Sequence, residues 1–456
     1  MTDQTSQRLS LPRVLAFSSL SIPLAGVGLP LAVYLSPLYA NEVGLGLEMT
    51  GLLFMLLRFW DVFTDPVMGY LVDRYRSPLG RVRHWILLSI PLLAIATYFV
   101  YMPPRTGVGP AYFVGWMLLF YVGFTLLQTS RSAWVPAIAT TYDERSRLFL
   151  WPEIVSTLSM LTLLALPALL PLFGFELDRF GQVAVMGAVL LVSLPVAGAL
   201  SFFFVPDQPV PGDQGHAMKF ELKPILAALK NQMFGRLLAM ELLAGTAIAV
   251  TAANYLFVAE YVFGLTGGQS SLILMIFFIV AVAAMPLWLL LAKRTEKNVA
   301  FRAATMMSAL SYILYFFFGQ VGGFWPLLVG AVINGAAFSA PIILTRSMTA
   351  DVVEWHTSRT GENRAGIYYS ILTSAYKIGS SLAFGVGYLM VGQLAGFHPG
   401  EPNTPEAING LLMIFCLLPG VLYLGASYAS WTYPLSRAMQ MDVAKSLDPR
   451  GPQTLD

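Results

Sequence analysis

Apolar stretches long enough to cross a bilayer recur along this whole chain, and they limit its possible folds more than any other feature. Twelve can be delimited, at residues 14–39, 48–72, 85–103, 111–139, 149–173, 181–204, 234–262, 269–292, 301–320, 324–347, 365–394 and 406–433. Only 11% of the 456 residues are charged, against about 25% in soluble domains. The first stretch is too long, and its flank too weakly basic, for a cleaved signal peptide. The sequence therefore predicts an all-α, polytopic membrane protein with twelve transmembrane helices.

Basic residues between the apolar stretches predict the orientation of the chain. Of the 27 lysines and arginines, only Arg105 and Arg179 fall in connections after odd-numbered stretches, whereas twenty-one fall in the termini or after even-numbered ones. Because cytoplasmic loops carry an excess of positive charge, both termini are predicted to be cytoplasmic. The expected location is a plasma membrane, such as the bacterial inner membrane.

The longest polar connection, residues 205–232, separates six stretches from six. Similar basic loops follow the fourth and the tenth stretch, at residues 143–147 and 360–364. Upstream of these loops, Arg131 corresponds to Arg346. Two six-helix halves are the plan of the major facilitator fold, with a midplane site at their interface; chance similarity of short loops, or another twelve-helix fold, is the alternative. The predicted division is an N-terminal half at residues 1–204, a cytoplasmic linker at 205–232, a C-terminal half at 233–434 and a cytoplasmic tail at 435–456.

Charged side chains interrupt the second apolar stretch. Arg58, Asp61 and Asp65 are spaced so that a helix places all three on one face. A charge near the centre of a bilayer costs roughly 2.5–3.5 kcal/mol, so three on one stripe are expected to face a protein-lined or water-filled interior. Ions or protons are handled in such interiors.

The same stretch also carries a family resemblance. It reads RFWDVFTDP over residues 58–66, and GRVRHW follows at residues 80–85. This resembles the signature of the glycoside–pentoside–hexuronide:cation symporters, the melibiose-carrier family of the major facilitator superfamily. In that family an R-x-W-D-x-x-x-D-P run in helix 2 is followed by a G-(R/K)-x-(R/K)-x-W entry into helix 3. Thr125, Asp351 and Lys377 are weaker matches, and the likeness extends over nearly the full length.

The resemblance implies that Asp61 and Asp65 form the site of the coupling cation, either Na⁺ or H⁺. Thr64 and Thr125 would be oxygen ligands beside them. Two carboxylates one helical turn apart, together with hydroxyl oxygens, suit a hard cation. The alternative is purely structural, with Asp61 neutralising Arg58 and Asp65 paired to a lysine of the eleventh stretch.

That lysine, Lys377, lies in an otherwise apolar stretch, where its charge requires a partner. In the family a lysine at this point lies close to the acids of helix 2. The resemblance therefore implies that Lys377, together with Arg58, couples the occupancy of the cation site to that of the solute site. A static salt bridge is the alternative.

The residues expected to contact the solute differ from those of the sugar-binding members. Those members place one acid in helix 1 and another in helix 4, and these positions hold Ala25 and Gln128 here. Arg131 lies near Gln128, and Arg346 occupies the matching place in the other half. Because arginine favours bidentate partners such as carboxylate, sulfonate or phosphate, Gln128, Arg131 and Arg346 are predicted to bind an anionic solute. The alternative is that the arginines tether loops or extend to the membrane surface.

The basic loop after the second stretch suggests a gate. A glycine followed four residues later by Asp73 and Arg74 resembles a loop motif widespread in major facilitators, where the acid caps a neighbouring helix and pairs with arginines. We expect Asp73, Arg74, Arg81 and Arg83 to latch the cytoplasmic gate. An ordinary positively charged cytoplasmic loop is the alternative.

These features favour a cation-coupled secondary symporter that imports a small organic solute, glycoside- or uronide-like and anionic in our hypothesis. A lysolipid carrier of the same family is the alternative, and a non-transporting receptor would not need paired acids. The sequence has no Walker loop, no His-Glu-x-x-His and no Gly-x-Ser-x-Gly, so an enzyme is not expected. We expect no cofactor beyond the coupling ion, no resident metal, no nucleic acid and a monomer in the lipid bilayer.

Overall fold

Helices make up the whole regular structure of the described part of this chain. The structure is a computed structural model, and it describes residues 9–28, 30–75, 77–80, 82–138, 142–175, 177–206, 222–361, 364–435 and 439–440. Within these ranges the one β-bridge, between Ser77 and Gly80, is isolated. The prediction of an all-α chain is confirmed.

Seven α-helices precede the linker, one lies within it and six follow it among the described residues. The first seven are α1 (Leu11–Ser18), α2 (Ser21–Ala25), α3 (Leu47–Arg74), α4 (Arg83–Tyr101), α5 (Pro110–Ile138), α6 (Tyr142–Leu169) and α7 (Arg179–Phe204). The others are α8 (Leu222–Lys230), α9 (Gln232–Phe257), α10 (Gly267–Arg294), α11 (Lys297–Val321), α12 (Phe324–Thr360), α13 (Ala365–Leu389) and α14 (Pro405–Trp431). Short π-helical turns continue α9 at Val258–Val262 and α13 at Met390–Leu394.

The first predicted span is broken, although its apolar length predicts one continuous helix. After α1 and α2 the chain continues through π-helical turns at Leu31–Leu35 and Leu38–Glu42. Short-range bonds join the amide of residue 22 to the carbonyl of residue 19 and the amide of residue 27 to the carbonyl of residue 24. Pro23, Pro30 and Pro37 explain the interruptions, because proline has no amide to donate within a helix.

Nine helices of the described part are long and apolar enough to span a membrane, namely α4 to α7, α9 to α12 and α14. The three other predicted spans are the broken first one, α3 and α13. α3 carries Arg58, Asp61 and Asp65 in its middle, and α13 carries Lys377. Charge therefore coincides with two of the three spans that length and hydropathy alone do not identify.

The chain divides into two compact units. Unit 1 comprises Met1–Lys219, Thr266–Leu272 and His398–Asn403, and unit 2 comprises Phe220–Leu265, Ile273–Phe397 and Thr404–Asp456. In unit 1, α5 packs against α3 and α4, α7 packs against α4, and α1 and α2 pack against α6 and α7. In unit 2, α9 packs against α12, α13 and α14, and α11 packs against α12 and α14.

Glycines allow close approach at one helix pair in each unit. A Cβ at Gly123 of α5 would lie 3.0 Å from the backbone nitrogen of Leu93 in α4. A Cβ at Gly379 of α13 would lie 2.8 Å from the carbonyl oxygen of Leu242 in α9. The backbones of α5 and α4 therefore touch in unit 1, and those of α13 and α9 touch in unit 2. Both α5 and α13 carry candidate site residues.

The start of α7 is fixed by Asp178. Its carboxylate accepts hydrogen bonds from the backbone amide of Gly181, at 2.8 Å, and from the guanidinium of Arg105, at 2.9 Å. These two donors, the amide first, hold the pKa of Asp178 below its usual range. Asp178 is thus an N-cap that also pairs with a cation on the connection before α5.

Candidate functional site

Asp61 and Asp65 are brought together with Thr125 in unit 1. The Thr125 hydroxyl of α5 lies 2.9 Å from Oδ1 of Asp61 and 3.3 Å from Oδ1 of Asp65, both on α3. Asp61 is 0% exposed and Thr125 is 2% exposed. One hydroxyl therefore contacts two carboxylates one helical turn apart, as an ion-binding cluster of oxygens requires.

Thr64 lies beside this cluster but bonds to its own helix. Its hydroxyl donates to the carbonyl oxygen of Asp61 at 3.2 Å, and its side chain is buried. α3 continues through Pro66, which has no amide, so the carbonyl of Val62 lacks its usual helical donor. Backbone and hydroxyl oxygens thus add to the two carboxylates at this level of α3.

Arg58 lies one turn before Asp61 on the same helix and is half-buried. Its guanidinium carbon lies 5.8 Å from the centroid of the Tyr121 ring on α5. This is a cation–π distance. Arg58 thus places a positive charge in the same α3–α5 contact as the two acids.

The opposite face of α3 is apolar and exposed. Its residues are Leu56 (53% exposed), Trp60 (48%), Phe63 (70%), Val67 (54%) and Tyr70 (43%). Their spacing of four and three residues keeps them on one stripe, about half a turn away from the acids. The acids therefore point into unit 1, as the cost of charge in a bilayer requires.

Gln128 and Arg131 follow Thr125 on α5. Arg131 lies six residues beyond Thr125, which is about 9 Å along the helix. Its guanidinium donates to the Ser21 hydroxyl of α2, and it shares a small cavity with Glu153 of α6. Gln128 is exposed, and its carbonyl accepts a hydrogen bond from Ser132 at 3.0 Å. A single helix thus carries Thr125, a candidate ligand of the cation, and both solute-binding candidates of the first half.

Lys377 and Arg346 belong to unit 2. Lys377 is half-buried in α13, and its carbonyl accepts hydrogen bonds from Ser380 (2.9 Å) and Ser381 (2.7 Å). The carbonyl of Arg346 in α12 accepts a hydrogen bond from Tyr369 of α13 at 3.1 Å. The coupling role of Lys377 stays a prediction.

Sequence reasoning missed the surroundings of Glu241. This glutamate of α9 is 8% exposed. Its carboxyl lies near the Thr345 hydroxyl and within electrostatic range of Arg346, both on α12. Neighbours more than a hundred residues away in sequence cannot be found from local spacing.

The predicted gate residues are only partly described. Residue Arg81 and the side chain of Asp73 lie outside the described part. Arg74 donates to the Tyr70 hydroxyl on its own helix. Arg83 donates to the carbonyl of Val205 at 2.6 Å, which ties the start of α4 to the end of α7. The latch stays a prediction.

A helical bundle with buried, paired acids in a span is typical of membrane transporters. The chain belongs to the family described as MFS/sugar transport protein, which matches residues 16–437. This confirms the resemblance to the glycoside–pentoside–hexuronide:cation symporters and the twelve-helix major facilitator fold. The protein is a multi-pass membrane transporter, and not an enzyme.

Similar proteins agree with this family. The chain is 24% identical to a glucuronide carrier protein homolog of Escherichia coli, over 92% of this chain and 91% of the relative. It is 25% identical to a putative glycoside/cation symporter of the same species, over 90% and 88%. Its fold is similar to that of the nucleoside transporter NupG in a mutant form, with a TM-score of 0.66 and 16% identity over 91% of this chain and 99% of that one.

Proposed function

We propose that this protein is a symporter that couples the inward movement of Na⁺ or H⁺ to the import of an anionic, glycoside- or uronide-like solute. The observation that carries the proposal is the Thr125 hydroxyl, which contacts both Asp61 and Asp65 inside unit 1. Two carboxylates that share one small volume repel each other unless a cation or a proton lies between them. This pair is therefore suited to bind and release a single monovalent cation.

Arg131 supports the anionic part of the proposal. It lies on the same helix as Thr125, its hydrogen-bond partner, the Ser21 hydroxyl, is neutral, and among the described residues the one acid that shares its cavity is Glu153. Guanidinium groups bind carboxylates through two parallel hydrogen bonds. Glucuronides, the substrates named for one relative, carry such a carboxylate, whereas the positions of the two sugar-binding acids hold Ala25 and Gln128.

The test is transport by the purified protein in liposomes, with an imposed Na⁺ or pH gradient. Labelled glucuronide, a neutral glycoside and a lysolipid are offered in parallel, so that the lipid-carrier alternative is an outcome. We expect gradient-driven accumulation of the glucuronide. Asp61→Asn and Asp65→Asn should abolish accumulation while solute exchange without a gradient continues.

Asp178→Asn is the matched control, because Asp178 lies outside the predicted spans and asparagine also caps helices. This variant should accumulate solute normally. Full accumulation by either Asp61→Asn or Asp65→Asn would remove that residue from the cation site. Accumulation of the neutral glycoside or the lysolipid alone would refute the anionic solute.

A further inference from the structure

A cavity of about 270 Å³ in unit 2 has no part in the function proposed above. It is lined by the end of α10, the start of α11, two residues of α12 and the segment that follows α14. Pockets that enclose whole small molecules have volumes of about 300–1,000 Å³. This cavity is slightly smaller, so it suits one polar group of a larger molecule.

The connection between α10 and α11, which borders the cavity, is basic. Three basic residues and one acid, Glu296, fall within residues 293–298. The excess of basic residues in such connections predicts that this one faces the cytoplasm. Just before it, Leu289 and Leu290 of α10 are exposed, as side chains that face lipid tails are. The cavity is therefore expected at the level where the headgroups of the cytoplasmic leaflet meet the acyl chains.

An ion pair with α12 orients one of the basic residues of the lining. Nζ of Lys297 lies 2.7 Å from Oδ1 and 2.6 Å from Oδ2 of Asp351. Gln440, in the segment after α14, donates to Oδ2 of Asp351 at 2.8 Å. Asp351 thus holds both side chains at the cavity. An ammonium group has three N–H bonds, so Lys297 keeps one donor beyond the two that are directed to Asp351.

Tyr433 adds a buried hydroxyl to the lining. The residue is 7% exposed, and its hydroxyl has no hydrogen-bond partner in the described part of the chain. A buried donor without an acceptor is costly. The hydroxyl of Ser347 and the side-chain nitrogen of Asn298 also lack an acceptor among the described residues, and both residues line the cavity. Donors without acceptors therefore gather around one space.

A ligand for these donors must be rich in acceptors, and the oxygens of a phosphate group are strong acceptors of charge-assisted hydrogen bonds. Leu344 and Leu435, both buried, give the cavity an apolar wall that a free phosphate ion would not cover. Basic pockets between transmembrane helices on the cytoplasmic side bind the headgroups of anionic lipids. A phosphate group joined to an apolar chain thus matches both parts of the lining.

We propose that this cavity binds the phosphate group of an anionic phospholipid. Lys297, Tyr433 and Ser347 donate hydrogen bonds to the phosphate oxygens, and the acyl chains continue along the exposed leucines of α10. Glu296, the carboxylate of the lining, repels added negative charge. It therefore favours the phosphodiester of a lipid, with its single charge, over a phosphate monoester, which carries close to two at pH 7.

Native mass spectrometry of the full-length protein in detergent, titrated with phosphatidylglycerol or phosphatidylcholine, tests the site. We expect tighter binding of phosphatidylglycerol, because choline places a positive charge beside the phosphate. Tyr433→Phe should weaken the binding of phosphatidylglycerol about tenfold or more, as the loss of a hydrogen bond to a charged group does. Ser347→Ala should weaken it as well. Tyr428→Phe is the matched control, since Tyr428 is exposed on α14 and does not line the cavity.

Lys293→Gln keeps the test decisive if the other two variants do not fold, because Lys293 is exposed at the edge of the cavity. It should weaken the binding of phosphatidylglycerol more than that of phosphatidylcholine. Equal binding of the two lipids, or unchanged binding of phosphatidylglycerol in all folded variants, would overturn the proposal. Inorganic phosphate is the second arm. If phosphate raises the unfolding temperature of the original protein but not of Tyr433→Phe, and no phosphatidylglycerol is retained, the site binds free phosphate and the lipid is excluded.

Discussion

Replacing Thr125 with valine should weaken the binding of the coupling cation more than it lowers the stability of the fold. Valine keeps the shape of the side chain but removes the hydroxyl that orients Asp61 and Asp65 toward one point. A hydrogen bond to a charged group contributes about 1.5–3 kcal/mol. The hydrogen bond to Asp61, at 2.9 Å, has the usual length, whereas the contact with Asp65, at 3.3 Å, is longer and weaker. We therefore count one hydrogen bond. Since each 1.4 kcal/mol changes a dissociation constant tenfold, the half-saturating cation concentration should rise roughly 10- to 150-fold.

The measurement is solute uptake into liposomes as a function of Na⁺ concentration and of pH. Thr125→Ser keeps the hydroxyl and should stay close to the unchanged protein. Thr162→Val is the matched control, since Thr162 is exposed on α6 and its hydroxyl bonds only to the carbonyl of Leu158 among the described contacts. If Thr125→Val transports with an unchanged half-saturating concentration, the hydroxyl does not belong to the cation site.

Three further variants test the other candidate residues. If Lys377 couples to the acids, as the family resemblance implies, Lys377→Ala should make uptake more sensitive to pH and shift it toward H⁺ dependence, because a compensating charge is lost. Arg131→Lys should raise the solute concentration for half-maximal uptake about tenfold, because the bidentate fork is lost although the charge remains. Asp178→Ala should lower the stability of unit 1 by about 0.5–2 kcal/mol, as loss of an N-cap does. Because the folded pKa of Asp178 is lowered, its contribution is present above the ordinary carboxyl pKa of about 4 and is lost as the pH falls.

Each of these variants has a control and a contrary outcome. Lys230→Ala, on the short helix α8, should leave the pH profile unchanged, and an unchanged profile in Lys377→Ala would make that lysine a packing residue. Arg105→Lys, outside the predicted spans, should transport normally; a neutral glycoside transported normally by Arg131→Lys would exclude the anion role. Asp178→Asn should keep the cap but lose the contribution of Asp178 to the acid dependence of thermal unfolding. The linkage would be contradicted if the original protein and Asp178→Asn lost equal stability between pH 7 and a pH well below the ordinary carboxyl pKa.

The sequence could predict the helices and the shared face of Asp61 and Asp65, because both depend on local spacing. Apolar length gives the spans, and the i, i+4 relation places Asp61 and Asp65 on one face. The contact with Thr125 joins residues 60 and 64 positions apart, so only the family resemblance indicated it.

Two features could not be predicted, for physical reasons. The environment of Glu241 depends on the rotation of α9 relative to α12, which hydropathy does not determine. The break in the first span depends on how the backbone replaces the hydrogen bonds that its prolines cannot donate. Apolar length indicates only that the segment can be buried in the membrane. Apolar length thus predicts where the first span lies but not that it is broken.

The broken first span has a mechanical consequence. A backbone group without a partner in hydrocarbon costs several kcal/mol, so a continuous transmembrane helix resists bending. In this span the amides near residues 22 and 27 already bond to carbonyls three residues back, and the prolines have no amide to lose. Further bending can exchange one short-range bond for another instead of breaking a regular ladder. The broken span, which includes Ser21, the partner of Arg131, therefore meets a lower backbone cost of bending than a continuous helix would.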